Sequence, residues 1–139
     1  MSEVAFTVDG IPEAQGSMRA ITIAGKARIV PGGDNKALKR HKAWRRAVTV
    51  AARAAMDGAR PIDSPVRVDL IFRMPRPPSV KRPRPSVPPD IDKLCRSILD
   101  SLTDARVFSD DGRVCDLLAR KRYEDPEHPP GVDVRVRAI

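Results

Sequence analysis

The chain has 139 residues, enough for one domain with one modest core, and its hydrophobic content of 41% is ordinary for a folded domain. No apolar run is long enough to cross a bilayer, and the acidic start of the chain lacks the basic region and apolar block of a signal peptide. We therefore expect a cytoplasmic protein without a membrane partner. The net charge of +8 favours a polyanionic partner, most simply nucleic acid.

The two cysteines, Cys95 and Cys115, lie far from both histidines, and neither belongs to a Cys-x-x-Cys pair. A zinc site is therefore not expected. We predict two reduced, buried thiols, one in a helix and one in a strand, because an intracellular compartment disfavours a disulfide.

Short strands and one polar loop are predicted at the start of the chain. Residues 4–8 read as a strand, and residues 20–23 and 27–30 flank a tight turn as a hairpin. The loop between them has a small-residue centre at Gly16, where a backbone could approach a ligand closely. An ordinary connecting loop is the alternative.

A basic amphipathic helix is predicted next. Asp34 or Asn35 could cap it, its apolar residues recur every three or four positions as far as about Met56, and Gly58 is a natural stop. Because the helix has almost no acidic residues, its basic face could contact phosphates; a solvated surface is the alternative. This basic face consists of Lys36, Lys39, Arg40, Lys42, Arg45, Arg46 and Arg53.

A strand and a proline-rich segment follow. Residues 66–74 alternate apolar and polar side chains, which predicts a strand with one apolar face. Residues 75–89 contain half of the fourteen prolines, so no helix can form there. We predict a polyproline-like or mobile basic loop whose Lys81, Arg82 and Arg84 meet DNA beside a catalytic site. A docking peptide for a proline-reading domain is the alternative.

A second helix begins at Ile91 and ends by Thr103 or Asp104. A turn at residues 110–112 and strands over 114–123 and 132–138 complete the chain, with neither an internal repeat nor a second domain. We therefore expect one domain over residues 1–139. The buried stripe of the second helix is predicted to be Ile91, Leu94, Cys95, Ile98 and Leu102, with Leu99 at its border.

Residues 90–116 form an acidic island in this basic chain. They contain seven aspartates against four basic residues, a net charge of −3. Carboxylates repel phosphates, so the island is unexpected in a simple DNA-coating module. It is understandable if a divalent cation lies between carboxylates and phosphate. The aspartates are Asp90, Asp92, Asp100, Asp104, Asp110, Asp111 and Asp116.

Asp90 and Asp92 cannot share one helix face, because positions two apart diverge by about 200°. We place Asp90 before the first turn and Asp92 within it, so that both can converge on one cation; carboxylate oxygens suit Mg²⁺. Arg96, about 40° from Asp92, and Lys93 could stabilise the transition state at a phosphodiester. Each acid also has an ordinary explanation: a helix cap, an ion pair with Arg96, or turn chemistry at Asp110–Asp111.

Three segments resemble the RusA family of Holliday-junction resolvases. They are Pro-Asp-Ile-Asp-Lys-Leu at 89–94, Leu-Asp-Ser-Leu at 99–102 and Val-Phe-Ser-Asp-Asp at 107–111. The family pattern is Pro-Asp-x-Asp-Asn, a helix with Leu-x-Asp-x-Leu, and a downstream Asp-Asp. The match runs from 89 to 114 without a gap. The loop at Gln15-Gly16-Ser17 is also similar to phage-type members of the family.

The resemblance implies an α+β fold with two main helices packed on a single mixed sheet. It implies a homodimer that resolves four-way DNA junctions by paired symmetric nicks, in recombination and repair. Phage-type similarity implies a phage or prophage gene expressed in a bacterial cytoplasm. The alternatives are a non-enzymatic DNA-binding protein with structural acids, and a ribonuclease or general nuclease.

Residue by residue, the resemblance implies that Asp90, Asp92 and Asp111 are catalytic carboxylates that bind Mg²⁺, with Mn²⁺ as a substitute. The sequence departs from the family at Lys93, where asparagine is usual, and at Arg96, where some members have an assisting lysine, so either residue could assist catalysis. The expected DNA contacts are Gln15, Ser17, Arg19, Lys39, Lys42, Arg45, Arg46, Lys81, Arg82 and Arg84.

Overall fold

The computed structural model describes residues 3–15, 18–31 and 35–139, and the backbone alone of 18–23 and 28–31 within them. The described chain contains six strands and two long helices, with one 3₁₀ turn at Asp111–Arg113. Their bounds are β1 Glu3–Asp9, β2 Met18–Ile23, β3 Lys26–Pro31, α1 Asn35–Met56, β4 Val66–Met74, α2 Ile91–Asp104, β5 Val114–Tyr123 and β6 Gly131–Ala138.

Four of the strands form a mixed sheet in the order β1-β6-β4-β5. The β1–β6 and β6–β4 pairs are antiparallel, whereas β4 and β5 are parallel, from Val66 opposite Val114 to Met74 opposite Tyr123. Parallel neighbours need a crossover connection, and here α2 lies in it. Strands β2 and β3 pair separately as the predicted hairpin. The predicted α+β architecture with one main mixed sheet and two helices is confirmed.

One face of this sheet packs against the two helices. In β4 the alternation of the sequence sends Val66, Val68, Leu70 and Phe72 to that face, where each is at most 1% exposed. Helix α1 contributes Trp44, Val48, Ala52 and Met56, and helix α2 contributes Leu94, Cys95, Ile98 and Leu102, to the same hydrophobic core. Each large apolar side chain buried in this way contributes about 1.5–3 kcal/mol. The core thereby fixes α2, and with it the acidic residues at the start of α2.

The other face of the sheet carries charged side chains that pair across neighbouring strands. Arg73 on β4 is only 6% exposed. Its Nη1 lies 2.7 Å from Asp133 Oδ1 on β6, and its Nε donates to the Pro129 carbonyl over 2.7 Å. A buried charge needs such partners, because burial without them is costly. Arg73 therefore joins β4, β6 and the loop before β6.

Three local predictions concern the burial of Ile91, the burial of Cys115 and the cap of α1. Ile91 was predicted to be buried but is 37% exposed, because it is the first residue of α2 and precedes the turns that reach the sheet. The prediction of a buried Cys115 is also wrong: its thiol is exposed on β5, at the edge of the sheet. Asp34, one suggested cap of α1, lies outside the described residues, and α1 begins at the other, Asn35.

Candidate active site

The start of α2 presents two carboxylates to solvent. Asp90 is the N-cap residue, with extended backbone angles (φ −69°, ψ 140°), and its side chain makes no capping hydrogen bond. Its backbone carbonyl accepts the first helical bond, 3.1 Å from the Leu94 nitrogen. Asp92 lies in the first turn. Asp90 thus precedes the first turn of α2 and Asp92 lies within it, as helix geometry predicts.

The electrostatic surroundings of these acids are sparse. Lys93 Nζ lies 3.6 Å from Asp90 Oδ2, a solvent-exposed contact of small energy. Within the described residues Asp92 forms no ion pair, so the alternative pairing with Arg96 is not observed. Beneath Asp92, burial first and the Asp92 charge second raise the pKa of the Cys95 thiol to about 11. The thiol is therefore protonated at neutral pH.

The two aspartates of the downstream pair, Asp110 and Asp111, have different surroundings. Asp110 caps the 3₁₀ turn and accepts a hydrogen bond from the Gly112 nitrogen over 2.6 Å. Arg113, at the end of the turn, lies 2.7 Å from Asp63. Asp111 is exposed, and the turn that carries it packs against α2. Asp110 is thus occupied by turn formation, whereas the Asp111 carboxylate has no protein partner among the described residues.

The three expected metal ligands provide the right kind of atom. Asp90, Asp92 and Asp111 are all exposed carboxylates, and magnesium prefers oxygen ligands supplemented by water. Over residues 3–15, 18–31 and 35–139, however, no three Asp, Glu, His or Cys side chains lie close enough together to hold a metal ion. The donor chemistry fits a hard divalent cation, and the structure does not gather the three carboxylates into one closed group.

The loop after β1 contacts the start of α2 through a backbone hydrogen bond. The Gln15 nitrogen donates to the Lys93 carbonyl over 3.1 Å, which places the loop against the first turn of α2. Glu13 in the same loop lies 3.4 Å from Arg40 on α1. Of the other two residues predicted to bind DNA here, Ser17 lies outside the described residues, and only the backbone of Arg19, in β2, is described.

The basic face of α1 is less uniform than its sequence indicates. Arg45 Nη2 lies 2.7 Å from Asp104 at the end of α2, and the Arg45 side chain is only 31% exposed. Lys39, Lys42 and Arg46 are exposed and lie within about 60° of one another around the helix. Arg45 lies about 100° from Arg46 around α1 and faces α2 instead. The exposed basic stripe of α1 is therefore narrower than the basic face predicted from the sequence.

The proline-rich loop of residues 75–89 is attached to β5 at several points. The Arg76 guanidinium lies 4.8 Å from the centre of the Tyr123 ring, and Arg82 donates to the Tyr123 hydroxyl over 2.9 Å. Nearer to α2, Lys121 Nζ donates to the Val87 carbonyl over 2.8 Å and to the Pro89 carbonyl over 2.9 Å. The loop contains no helix or strand, so side chains of β5 supply partners that a sheet would otherwise provide.

A basic cleft of about 720 Å³ separates this loop from β5. Arg84 lines it from the loop side, and Arg120 and Arg122 line it from the strand side. None of these three guanidinium groups forms an ion pair in the described part of the chain. The sequence predicted Arg84 as a DNA contact and did not indicate Arg120, Lys121 or Arg122. The sequence feature that could have indicated these three residues is that they are consecutive basic residues in the strand after the acidic turn.

Exposed carboxylates at a helix start, bordered by basic surfaces, are typical of an enzyme that cleaves phosphodiester bonds with a bound metal ion. The model of the endodeoxyribonuclease RusA family matches residues 26–137, and the chain therefore belongs to that family. It is an endodeoxyribonuclease that acts on Holliday junctions, and enzymes of this family generally depend on a divalent metal.

A protein from Bacillus subtilis (strain 168), described as uncharacterized protein YqaN, is 28% identical to the chain over 151 aligned positions. The alignment covers all of this chain and 99% of that protein. In the described part of the chain, no helix is long and apolar enough to span a membrane.

Proposed function

We propose that the chain resolves Holliday junctions by paired symmetric nicks, with Mg²⁺ held by Asp90, Asp92 and Asp111, and that Mn²⁺ can replace Mg²⁺. The observation that carries this proposal is the exposed Asp90–Asp92 pair, whose side chains neither cap α2 nor form a close ion pair. The corresponding role is DNA recombination and repair in a bacterial cytoplasm, from a phage or prophage gene, with residues 1–139 as one domain.

A bound Mg²⁺ would neutralise charge on the scissile phosphate and lower the pKa of an attacking water. The residues of the chain prepare that chemistry. Asp90 and Asp92 offer carboxylates from a helix end that is fixed by the core, and Asp111 offers a third from the turn that packs against α2. Arg96, exposed one turn beyond Asp92, donates to a phosphate oxygen, while Lys93 balances Asp90.

The proposed DNA surface has two parts besides the early loop with Gln15, Ser17 and Arg19. The first is the exposed stripe of α1 with Lys39, Lys42 and Arg46, whereas Arg45 supports the stripe through Asp104. The second is the proline-rich loop and the cleft behind it. The cationic side chains of the loop and the cleft include Lys81, Arg82, Arg84, Arg120 and Arg122. Arginine suits both parts, because its guanidinium can pair with phosphate through two parallel hydrogen bonds.

A homodimer completes the proposal. Symmetric cutting of a four-way junction requires two equivalent sites, and a two-fold dimer presents one to each of two strands. Light scattering after gel filtration measures this state directly. A mass equal to one chain, at concentrations where junctions are cut, contradicts the dimer.

The test uses an end-labelled mobile four-way junction, with and without Mg²⁺, with cuts mapped on all strands. Wild-type protein is expected to cut opposite strands at matching positions. Asp90→Asn, Asp92→Asn and Asp111→Asn should each reduce cutting by about 100-fold or more and leave junction binding in EDTA intact, because several kcal/mol of transition-state stabilisation is lost.

Asp116→Asn is the matched control, since Asp116 is an exposed acid of the same acidic segment but lies within β5. It should cut at the wild-type rate. A near wild-type rate for a variant of Asp90, Asp92 or Asp111 removes that residue from the ligand set. Binding without any Mg²⁺-dependent cutting by the wild type would instead support the non-enzymatic alternative, and equal cutting of duplex or RNA would support a general nuclease.

A further inference from the structure

Lys121 occupies an unusual position for a lysine. It lies in β5, is partly buried, and directs its ammonium group to the carbonyls of Val87 and Pro89, at 2.8 and 2.9 Å. These two carbonyls belong to the last residues before the acidic helix start. Two of the three N–H donors of Lys121 are therefore committed to the loop backbone, which leaves one for other partners.

The Pro89 carbonyl and the Asp90 nitrogen belong to the same peptide group. This group is planar, so a bond that fixes the carbonyl oxygen also fixes the plane from which Asp90 begins. On its other side, the Asp90 carbonyl is fixed by the Leu94 nitrogen at 3.1 Å. The backbone of Asp90 is thus held from both ends, by a strand residue and by its own helix.

The Asp90 side chain has no comparable support. It makes no capping hydrogen bond, and its contact with Lys93 is long and exposed. The direction of the carboxylate therefore depends on the backbone that carries it. Metal ligands must be held within a few tenths of an ångström to be effective, which makes the backbone clamp relevant to the site.

We propose that Lys121 is a positioning residue for the metal site: by holding the Pro89 carbonyl, it sets the place of the Asp90 carboxylate and so the affinity of the site for a divalent cation. This inference rests on the proposed function, because it takes Asp90 as a metal ligand. Lys121 acts through the backbone of another residue and need not touch DNA. It lies 31 positions beyond Asp90, outside the acidic segment.

The experiment compares wild type, Lys121→Met and Lys121→Arg. Methionine keeps an apolar chain of similar length without donors, whereas arginine can still donate to two carbonyls. Lys121→Met should weaken Mn²⁺ binding, measured by electron paramagnetic resonance without DNA, by about 10-fold, as typical for loss of a group that orients a ligand. The Mg²⁺ concentration for half-maximal junction cutting should rise by a similar factor. Lys121→Arg should recover most of both losses.

Arg60→Met is the matched charge control, because it also removes one positive charge and lies exposed in the segment between α1 and β4. Junction affinity in EDTA should be the same for Lys121→Met and Arg60→Met. If Lys121→Met fails to fold, Lys121→Gln, which retains a side-chain NH₂ group that can donate to a carbonyl, is measured instead and should show an intermediate loss of Mn²⁺ affinity.

Wild-type Mn²⁺ affinity in a folded Lys121→Met or Lys121→Gln protein would overturn the proposal. A loss confined to junction affinity would also overturn it and would make Lys121 a DNA contact. Failure of the proposed function is separately visible: wild-type protein would then cut no junction, while Mn²⁺ binding still reports whether Lys121 controls the Asp90 site.

Discussion

Neighbouring arginines on α1 separate a role in DNA binding from a role in folding. Arg46 is exposed beside Lys39 and Lys42, whereas Arg45 lies 2.7 Å from Asp104 on α2. We compare Arg46→Gln with Arg45→Gln, which remove the same charge one position apart. The two variants should fail in different assays, because their side chains face different surroundings.

The expected magnitudes follow from these surroundings. Loss of one phosphate contact at Arg46 should reduce the slope of log K against log salt concentration by about 0.9. The Arg45–Asp104 pair is partly screened, with 31% and 54% of the two side chains exposed, so its loss should cost about 0.5–1 kcal/mol of unfolding free energy. For a chain of this length, that is a decrease in Tm of roughly 2–5 °C.

Fluorescence anisotropy with a labelled junction at several salt concentrations measures the slope, and thermal unfolding measures Tm. Arg46→Gln should change the slope and keep the wild-type Tm. Arg45→Gln should lower Tm and keep the wild-type slope. A wild-type slope for Arg46→Gln would show that DNA does not follow the Lys39–Lys42–Arg46 stripe, and equal slope reductions in both variants would refute the assignment of Arg45 to folding alone.

Two further predictions concern buried charge and buried sulfur. Arg73→Met should lower the unfolding free energy by about 2–4 kcal/mol in urea titrations, because Pro129 and Asp133 lose a charged donor. The double variant Arg73→Met/Asp133→Asn should show a coupling energy of about 1 kcal/mol between the two residues. Additive effects of the two substitutions would contradict the Arg73–Asp133 pair. Cys95 keeps its proton in the folded state to a pKa of about 11 against an ordinary 9.0, so stability should fall between these pH values, by about 1.4 kcal/mol per pH unit. Cys95→Ala should lack this component of the pH dependence, and an identical pH dependence in both proteins would refute the assignment.

The sequence correctly predicts those helices and strands in which buried side chains recur at a regular spacing. Strand β4 and the inner face of α2 were predicted because alternation and three- to four-residue spacing show which side chains face the core. The same periodicity wrongly predicted that Ile91 is buried. The first residue of a helix can point towards the core and still lie before the turns that pack against the sheet. Cys115 was misassigned for a related reason: its strand lies at an edge, and a strand's place in the sheet is not contained in its own period.

The candidate site shows the same division. The placement of Asp90 before α2 and Asp92 in its first turn followed from helix geometry alone, and the structure agrees. The partners supplied by distant segments did not follow. Arg45 meets Asp104 across 59 positions, and Lys121 meets Pro89 across 32, through side-chain contacts that leave no local pattern. The distribution of charge along α1 alone therefore did not predict which of its basic side chains lack an acidic partner.

The proline content of residues 75–89 has a consequence for the entropy of the free chain. Ordering an ordinary residue costs about 1–2 kcal/mol of backbone entropy, but proline has a fixed φ before the protein folds. Half of the fourteen prolines lie in this loop, so much of its restriction already exists in the unfolded state. A few side-chain bonds, such as those of Arg82 and Lys121, can then hold a long segment that has no ladder of backbone bonds. Replacing these prolines by alanine would leave those bonds in place and would make the loop easier to open next to Asp90.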